Sequence, residues 1–147
     1  MVSKKINIFF VVLLIFLGFF LFFRQTGEIK EVIVGEKTFF VEVSRTKTEL
    51  ERGLSLHVPL SDNQGMLFVF QKEDLYGFWM KDMSFSLDII WIDSNLKIVY
   101  IEKSILPETY PKVFLPKTKS LYVLEIPAGQ TNLLKINVGD KVKFVKK

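Results

Sequence analysis

The stretch GFWMKDMSFSLDIIWID, from Gly77 to Asp93, carries the strongest fold information in the sequence. It holds both tryptophans of the chain, together with one lysine and three aspartates. We interpret Phe78–Met80 as a first short strand, Lys81-Asp82 as a turn and Leu87–Ile92 as a second strand. Side chains alternate between the two faces of a strand, and both faces of the second strand are apolar apart from Asp88. This strand is therefore predicted to be covered on both sides.

Asp88 is an unusual residue in such a strand. A carboxylate in a dry position needs a cation or several backbone N–H donors, or else it becomes protonated. Glu125 presents the same problem, since it lies between Leu124 and Ile126 in another apolar run. The sequence leaves open whether these two acids are functional or structural.

The rest of the chain from residue 31 onward predicts a β-rich α+β domain. Gly35-Glu36 separates two β-rich runs, which indicates a hairpin. Thr46 and Glu49 fit a capping box, and Gly53 is a natural stop, so we predict a short helix over 47–52. Further strands are predicted at 66–70, 97–102, 121–126 and 142–145, with a helical turn at 131–136 and a proline-containing segment at 104–119. We expect a small, partly closed antiparallel β-barrel with one or two short helices.

The N-terminus has the pattern of a membrane segment. An apolar run interrupted only by Asn7 covers residues 6–23, and at about 1.5 Å per residue it is close to the thickness of a bilayer core. Bulky residues occupy the end of the run, where a cleavable signal peptide needs small ones, so we favour an uncleaved anchor over a cleaved peptide. Lys4 and Lys5 orient the C-terminal domain to the extracytoplasmic side. We therefore predict a cytoplasmic N-terminus (1–5), a single-pass transmembrane signal anchor (6–23), a tether (24–30) and an extracytoplasmic β-rich domain (31–147) at the cell membrane.

Composition excludes several classes of function. The formal charge is +4, but residues 25–147 hold 17 Lys and Arg against 16 Asp and Glu, so we expect no nucleic-acid partner. The chain has no cysteine, which removes disulfides, thiol nucleophiles and thiolate metal sites. The single histidine, His57, lies in a loop without a nucleophile motif, and we interpret it as a surface or rim residue. We predict no metal site and no cofactor.

The predicted turn at Lys81 is the first candidate binding site. Lys81 beside Trp79 offers a cation next to an indole face, which suits a small anionic ligand or a sugar. The alternative is that Lys81 only pairs with Asp88 or Asp82 to satisfy a buried charge.

The second candidate is a charged cluster. Arg52, at the end of the predicted helix, is a candidate partner for Asp88 or Glu125. Two acids could also act as a glycosidase pair, although the sequence does not give their separation. The candidate ligand-binding residues are Arg52, Trp79, Lys81, Asp88 and Glu125.

Five blocks of the sequence together resemble DUF192, a family of domains of unknown function. The blocks are Arg52-Gly53-Leu54, Gly65–Phe70, Phe78–Lys81, Leu87–Asp93, and Val123-Leu124-Glu125 followed by Gly129 and Gly139-Asp140. The resemblance covers about residues 32–145 and implies a compact, mostly β, barrel-like domain that is exported or membrane-anchored. It implies no established activity. The chain departs from the family pattern at Asp82, Met83 and Ser86, and Asp82 adds a negative charge beside Lys81 that weakens an anion-binding role.

Three functions follow as hypotheses. The first is a membrane-anchored, extracytoplasmic module of the cell envelope that binds a small ligand or serves as an accessory domain. The second is a hydrolase of envelope glycan or a related polymer that uses Asp88 and Glu125. The third is a structural domain that docks onto another envelope protein, which predicts an exposed apolar patch instead of a pocket.

Overall fold

The fold is built on a seven-stranded sheet in residues 28–146, the part of the chain that the computed structural model describes. Its strands, in chain order, are β1 (Ile29–Val34), β2 (Lys37–Ser44), β3 (Gln64–Asp74), β4 (Leu87–Ile92), β5 (Ile98–Ile105), β6 (Ser120–Pro127) and β7 (Val142–Lys146). Helix α1 (Lys47–Arg52) lies between β2 and β3, and α2 (Gln130–Leu133) lies between β6 and β7. A 3₁₀ turn covers Pro107–Thr109. The domain is therefore β-rich, with two short helices.

The sheet is open, so the prediction of a partly closed antiparallel barrel is wrong. The strand order is β5-β4-β6-β3-β2-β1-β7, which leaves β5 and β7 at the two edges. Lys97, just before β5, and Lys141, just before β7, form one isolated bridge. The two edge strands themselves do not pair in a continuous ladder. The sheet is not purely antiparallel either, because β2 and β3 run parallel. A parallel pair needs a crossover, and α1 with its following loop supplies it.

Strand β4 is buried on both faces, as its sequence predicts. All six of its residues are buried. Ile90 and Ile92 belong to one core cluster with Phe39, Leu67 and Ile126. The alternate residues of β4 belong to a second core cluster on the other face, together with Leu54, Met66, Phe68 and Val123. The period-2 pattern of this strand therefore assigned the two faces correctly.

Helix α1 begins and ends where its sequence predicts. The Thr46 side chain accepts a hydrogen bond from the Glu49 backbone N–H, and the Glu49 carboxylate accepts one from the Thr46 N–H, which completes the capping box. Gly53 ends the helix with a positive φ of 51°. A glycine is favoured there because it has no Cβ to strain this conformation.

The predicted strand at Phe78–Met80 does not form. Phe78 instead makes an isolated antiparallel bridge with Phe114, held by two backbone hydrogen bonds of 2.9 and 2.8 Å. Phe114 lies in the predicted proline-containing segment at 104–119. Proline cannot donate to a ladder, so pairing in this segment stays local. The bridge therefore attaches the proline-containing segment to Phe78, the residue before Trp79.

The predicted N-terminus (1–5), the transmembrane anchor (6–23) and the tether up to residue 27 lie outside the described residues, whereas residues 29 and 30 of the predicted tether belong to β1. Within residues 28–146, no helix is long and apolar enough to cross a membrane.

Candidate functional site

A cleft opens between the end of α1 and the segment that follows β3. Its volume is about 220 Å³. The lining residues come from four parts of the chain and are mostly apolar or aromatic: Leu50–Ser55, Phe68 and Phe70, Tyr76–Trp79 with Met83, and Glu125. We refer to this site as the aromatic cleft.

The two sides of the aromatic cleft are held together by hydrogen bonds between loops. The Ser55 hydroxyl donates to the Lys81 carbonyl oxygen at 2.9 Å, and the Leu56 N–H donates to the Asp82 carbonyl oxygen at 3.1 Å. These two hydrogen bonds therefore fix the segment after α1 against the turn at 81–82.

Aromatic rings form most of the cleft wall. Phe70 and Tyr76 stack with centroids 3.4 Å apart, and Phe78 meets Phe68 edge to face at 4.8 Å. The backbone carbonyl of Tyr76 accepts a hydrogen bond of 2.8 Å from the indole of the fully buried Trp91. These contacts fix the positions of the rings. Trp79 differs, because half of its surface is exposed at the cleft.

Glu125 supplies the acid of the cleft. Strand β6 pairs it with Met66 on β3 and Ile89 on β4, so its side chain points to the face of the second core cluster. It is only 4 % exposed, and no side chain or backbone group in the described residues forms a hydrogen bond or ion pair with its carboxyl group. Burial raises its pKa from 4.5 to about 8, because the charged form loses hydration.

Gly65 allows the two strands to approach each other at this point. A Cβ at Gly65 would lie 2.7 Å from the backbone oxygen of Glu125. No side chain fits at that distance without a shift of backbone, so the glycine sets the position of β6 beneath the cleft.

Asp88 lies on the opposite face of the sheet from Glu125. It pairs with Ile126 on β6, one position along from Glu125, and is completely buried. Its carboxylate accepts hydrogen bonds from the backbone N–H groups of Ser104, Gly129 and Thr131 at 2.7, 3.1 and 2.8 Å, and from the Thr131 hydroxyl at 2.7 Å. Ser104 lies at a β-bulge, and Gly129 and Thr131 begin α2. Asp88 therefore joins three elements and is saturated with donors.

The structure brings three of the five predicted site residues together. Arg52, Trp79 and Glu125 line the aromatic cleft, while Lys81 and Asp88 do not. The Lys81 side chain is exposed, and the partners of Asp88 are backbone N–H groups and a hydroxyl rather than this lysine. Whether the three cleft residues bind a ligand remains a prediction.

Sequence reasoning missed most of the cleft wall. Phe68 and Phe70 share one face of β3, since they are two residues apart, and this period-2 pairing was the signal available. Tyr76 gave no such signal, because its role depends on stacking with Phe70 in the folded chain. His57 lies outside the cleft lining, with its Nε2 3.5 Å from a Glu42 carboxylate oxygen.

The described residues contain no group of three or more His, Asp or Glu side chains placed to hold a metal ion. A carboxylate such as Glu125 is a poor metal site alone, because Zn²⁺ and Ca²⁺ take several ligands.

The sequence profile of DUF192, described as an uncharacterized family, matches residues 28–144. The chain belongs to the DUF192 family. Among curated proteins, it is 31 % identical over 70 residues to a UPF0127 protein of Pyrococcus horikoshii and 34 % identical over 71 residues to one of Pyrococcus abyssi. Each match covers 48 % of this chain and 55 % of the relative, so the chain spans about half the length of these relatives.

Two crystal structures have similar folds. One is a protein of unknown function from Novosphingobium aromaticivorans, with a TM-score of 0.74 and 31 % identity over 81 % of this chain and 87 % of that one. The other is a putative transcription regulator from Sinorhizobium meliloti, with a TM-score of 0.72 and 26 % identity over 78 % of this chain and 90 % of that one. The fold of the described domain is therefore similar to that of solved proteins.

Proposed function

We propose that this DUF192 domain is a small-ligand-binding module whose site is the aromatic cleft. The observation that carries the proposal is Glu125. Buried polar groups in proteins are nearly always hydrogen-bonded, and an unpaired one costs about 1–3 kcal/mol. The Glu125 carboxyl group has no partner in the described residues, and its oxygens are not among the fully enclosed unpaired atoms there, so they are reached from the cleft and are placed to receive a partner from a ligand.

The size of the cleft limits the ligand. Pockets for drug-sized molecules have volumes of roughly 300–1,000 Å³, and the aromatic cleft is smaller, at about 220 Å³. A ligand with one ring or a short chain fits this volume. The half-exposed Trp79 gives such a ring a face on which to stack.

The cellular location is part of the proposal. The apolar run over 6–23, preceded by Lys4 and Lys5, supports attachment to a membrane with the domain on the extracytoplasmic side. Protease treatment of intact cells tests it: an extracytoplasmic domain is cleaved once the cell wall or outer layers are made permeable, and a cytoplasmic one is protected until the membrane is lysed.

A glycosidase that uses Asp88 and Glu125 as its pair is not supported by their geometry. The two acids must flank the same glycosidic bond. Here they point to opposite faces of one sheet, and Asp88 is occupied by four donors.

A nucleic-acid function is not supported either. The name of the Sinorhizobium structure suggests transcriptional regulation for that protein. Residues 25–147 of this chain carry 17 basic and 16 acidic side chains, which gives little attraction to a phosphate backbone.

Docking onto a protein partner is the second candidate function. Val113 and Leu115 flank Phe114 and are each about half exposed, and they lie against Gly77, beside Trp79. Exposed apolar residues grouped in this way are typical of an interaction surface. If this is the function, replacing Val113 and Leu115 by serine abolishes capture of an envelope protein and leaves ligand binding unchanged.

Thermal unfolding of the full-length protein with a panel of small sugars, anions, amines and neutral ring compounds tests the first proposal. A ligand that binds the folded state raises the melting temperature by mass action. The expected shift is lost in Trp79→Ala, which removes a cleft wall. It persists in Leu75→Ala, which removes a comparably exposed apolar side chain outside the cleft lining.

Lys81→Ala distinguishes binding in the aromatic cleft from binding at the Lys81 turn, the first candidate site predicted from the sequence. Lys81 is exposed and outside the cleft lining, so we expect the variant to keep the full shift. Loss of the shift in Lys81→Ala but not in Trp79→Ala would move the site to the turn. A panel that produces no shift at all would contradict the proposal.

A further inference from the structure

The chemistry of the aromatic cleft indicates a class of ligand. The Glu125 carboxyl group has two oxygens and no partner in the described residues. At this largely buried position on the cleft, the acid is stabilised either by remaining protonated or by receiving a cation. Among the residues that line the cleft, the basic one is Arg52, which is exposed and forms no ion pair with Glu125 in the described structure. Within residues 28–146, no side chain supplies the counter-ion that ionised Glu125 needs, so a ligand is the candidate source.

The walls favour a cation over a neutral polyol. Phe70, Phe78 and the half-exposed Trp79 line the cleft, and an aromatic ring attracts an ammonium group electrostatically. A sugar needs many polar partners, and few are available. The Ser55 hydroxyl already donates to the Lys81 carbonyl, and the Tyr76 hydroxyl donates to the Lys72 carbonyl at 2.7 Å. A sugar would leave hydroxyls unpaired, which costs affinity.

An anion fits less well than either. It would approach an acid that has no partner of its own, so it could enter only while Glu125 is protonated. The exposed rim offers no net attraction, because Arg52 is adjacent to Glu51, which carries the opposite charge and also lines the cleft.

We propose that the aromatic cleft binds a small organic cation, a primary ammonium group on an apolar or aromatic body, with the Glu125 carboxylate as its counter-ion. The inference rests on the proposed function, since it names the ligand class of the same site. Trp79, Phe70 and Phe78 contact the apolar body, and the ammonium group donates hydrogen bonds to the Glu125 oxygens.

The proposal predicts proton release on binding. Burial raises the pKa of Glu125 to about 8, so the acid is mostly protonated at pH 7, and a bound cation lowers that pKa. The other charged or titratable side chains that line the cleft are Glu51, Arg52 and Tyr76. The two strands that flank Glu125 place Met66 and Ile89 opposite it, and neither titrates. Affinity for the cation therefore rises from pH 6 to pH 8 through Glu125.

The test compares benzylamine with benzyl alcohol, which have nearly the same shape, by calorimetric titration of the full-length protein. We expect benzylamine to bind about tenfold more tightly or better, as a desolvated charge pair should. Repeating the titration at pH 7 in buffers of different ionisation enthalpy counts the proton that benzylamine releases. Glu125→Gln should reduce the preference to within about twofold, while Glu36→Gln, which changes an exposed acid outside the cleft lining, should keep it.

Each outcome decides the inference. Equal binding of the two probes, or binding of benzylamine without proton release, overturns the ligand class and leaves the cleft as a ligand site. If neither probe binds but another compound gives a melting shift that depends on Trp79, the inference fails and the proposed function stands. If nothing binds, both fail. The proton count uses the wild-type protein, so it decides the matter even if Glu125→Gln does not fold.

Discussion

Asp88 on β4 and Glu125 on β6 lie one register position apart on neighbouring strands, and both acids are buried. On one face of the sheet, the Asp88 carboxylate accepts four hydrogen bonds. On the other face, the Glu125 carboxyl group has no partner in the described residues and lines a cleft. Burial is the same for the two acids, so burial does not distinguish a structural acid from a candidate binding acid. The number of partners does.

Replacing Asp88 by alanine gives the largest expected loss of stability. The change leaves the N–H groups of Ser104, Gly129 and Thr131 without their acceptor in a dry site. Each buried donor left unpaired costs about 1–3 kcal/mol, so with three such N–H groups we expect the free energy of unfolding in urea to fall by about 3 kcal/mol or more. Asp62→Ala, at an exposed loop position, is the control and should change it by less than about 0.5 kcal/mol.

Asp88→Asn sharpens the same test. An amide can accept with its oxygen, but its NH₂ group would face an N–H donor. We therefore expect little rescue. A loss below about 1 kcal/mol in both variants would mean that Asp88 is not the structural centre that its contacts indicate.

Glu125→Gln tests whether Glu125 is unpaired, through the pH dependence of the free energy of unfolding. The folded state holds the pKa of Glu125 near 8, above the ordinary 4.5, so the folded protein binds more protons than the unfolded chain between these values. Stability therefore falls as pH rises through this window. At up to about 1.4 kcal/mol per pH unit over roughly three units, we expect wild type to lose about 4 kcal/mol more than the variant between pH 5 and pH 9.

Urea unfolding at pH 5, 7 and 9 measures this difference, with Glu36→Gln as the exposed control. Parallel pH curves for wild type and Glu125→Gln would show that the carboxyl group has a charged or hydrogen-bonded partner. That result would remove the contrast with Asp88.

Thr131→Val removes one of the four donors to Asp88 and has an intermediate effect. The valine keeps the shape of threonine and the backbone N–H, so only the 2.7 Å hydroxyl bond is lost. A hydrogen bond to a charged group contributes about 1.5–3 kcal/mol, and the unfolding free energy should fall by that amount. In Asp88→Ala, the same substitution should cost much less, because its acceptor is already absent. If Thr131→Val lowered the unfolding free energy equally in wild type and in Asp88→Ala, the Thr131 hydroxyl would not stabilise the protein through Asp88.

Local elements of the fold could be predicted from the sequence because their causes are local. The capping box at Thr46, the turn at Gly35-Glu36 and the two faces of β4 each depend on residues within a few positions. The open sheet could not be predicted, because it depends on which strands pair. The parallel partner of β2 and the insertion of β6 between β3 and β4 are long-range choices, and the same alternating patterns also fit a barrel.

In the candidate site too, the features with local causes could be predicted from the sequence and those that depend on long-range contacts could not. Glu125 could be found because an acid in an apolar strand breaks a local pattern. Asp88 broke the pattern equally, and only the bulge at Ser104 and the start of α2 show how it is satisfied. Lys81 was chosen for its neighbour Trp79, but adjacent residues in a turn do not have to share a direction. The Lys81 carbonyl, not its ammonium group, contacts the loop after α1.

Ser120→Ala has the smallest expected effect and tests whether partner counting is a sound guide. Ser120 and Thr131 are both fully buried, but the Ser120 hydroxyl has no hydrogen-bond partner in the described structure. Removing a buried hydroxyl that is already unpaired gives up no hydrogen bond, so the unfolding free energy should stay within about 1 kcal/mol of wild type or rise. Thr131→Val is the matched paired hydroxyl and should cost more. A loss in Ser120→Ala as large as that in Thr131→Val would mean that the Ser120 hydroxyl has a hydrogen-bond partner that the contacts do not reveal. The absence of a partner for Glu125, on which the cleft proposal depends, would then no longer be good evidence for a ligand site.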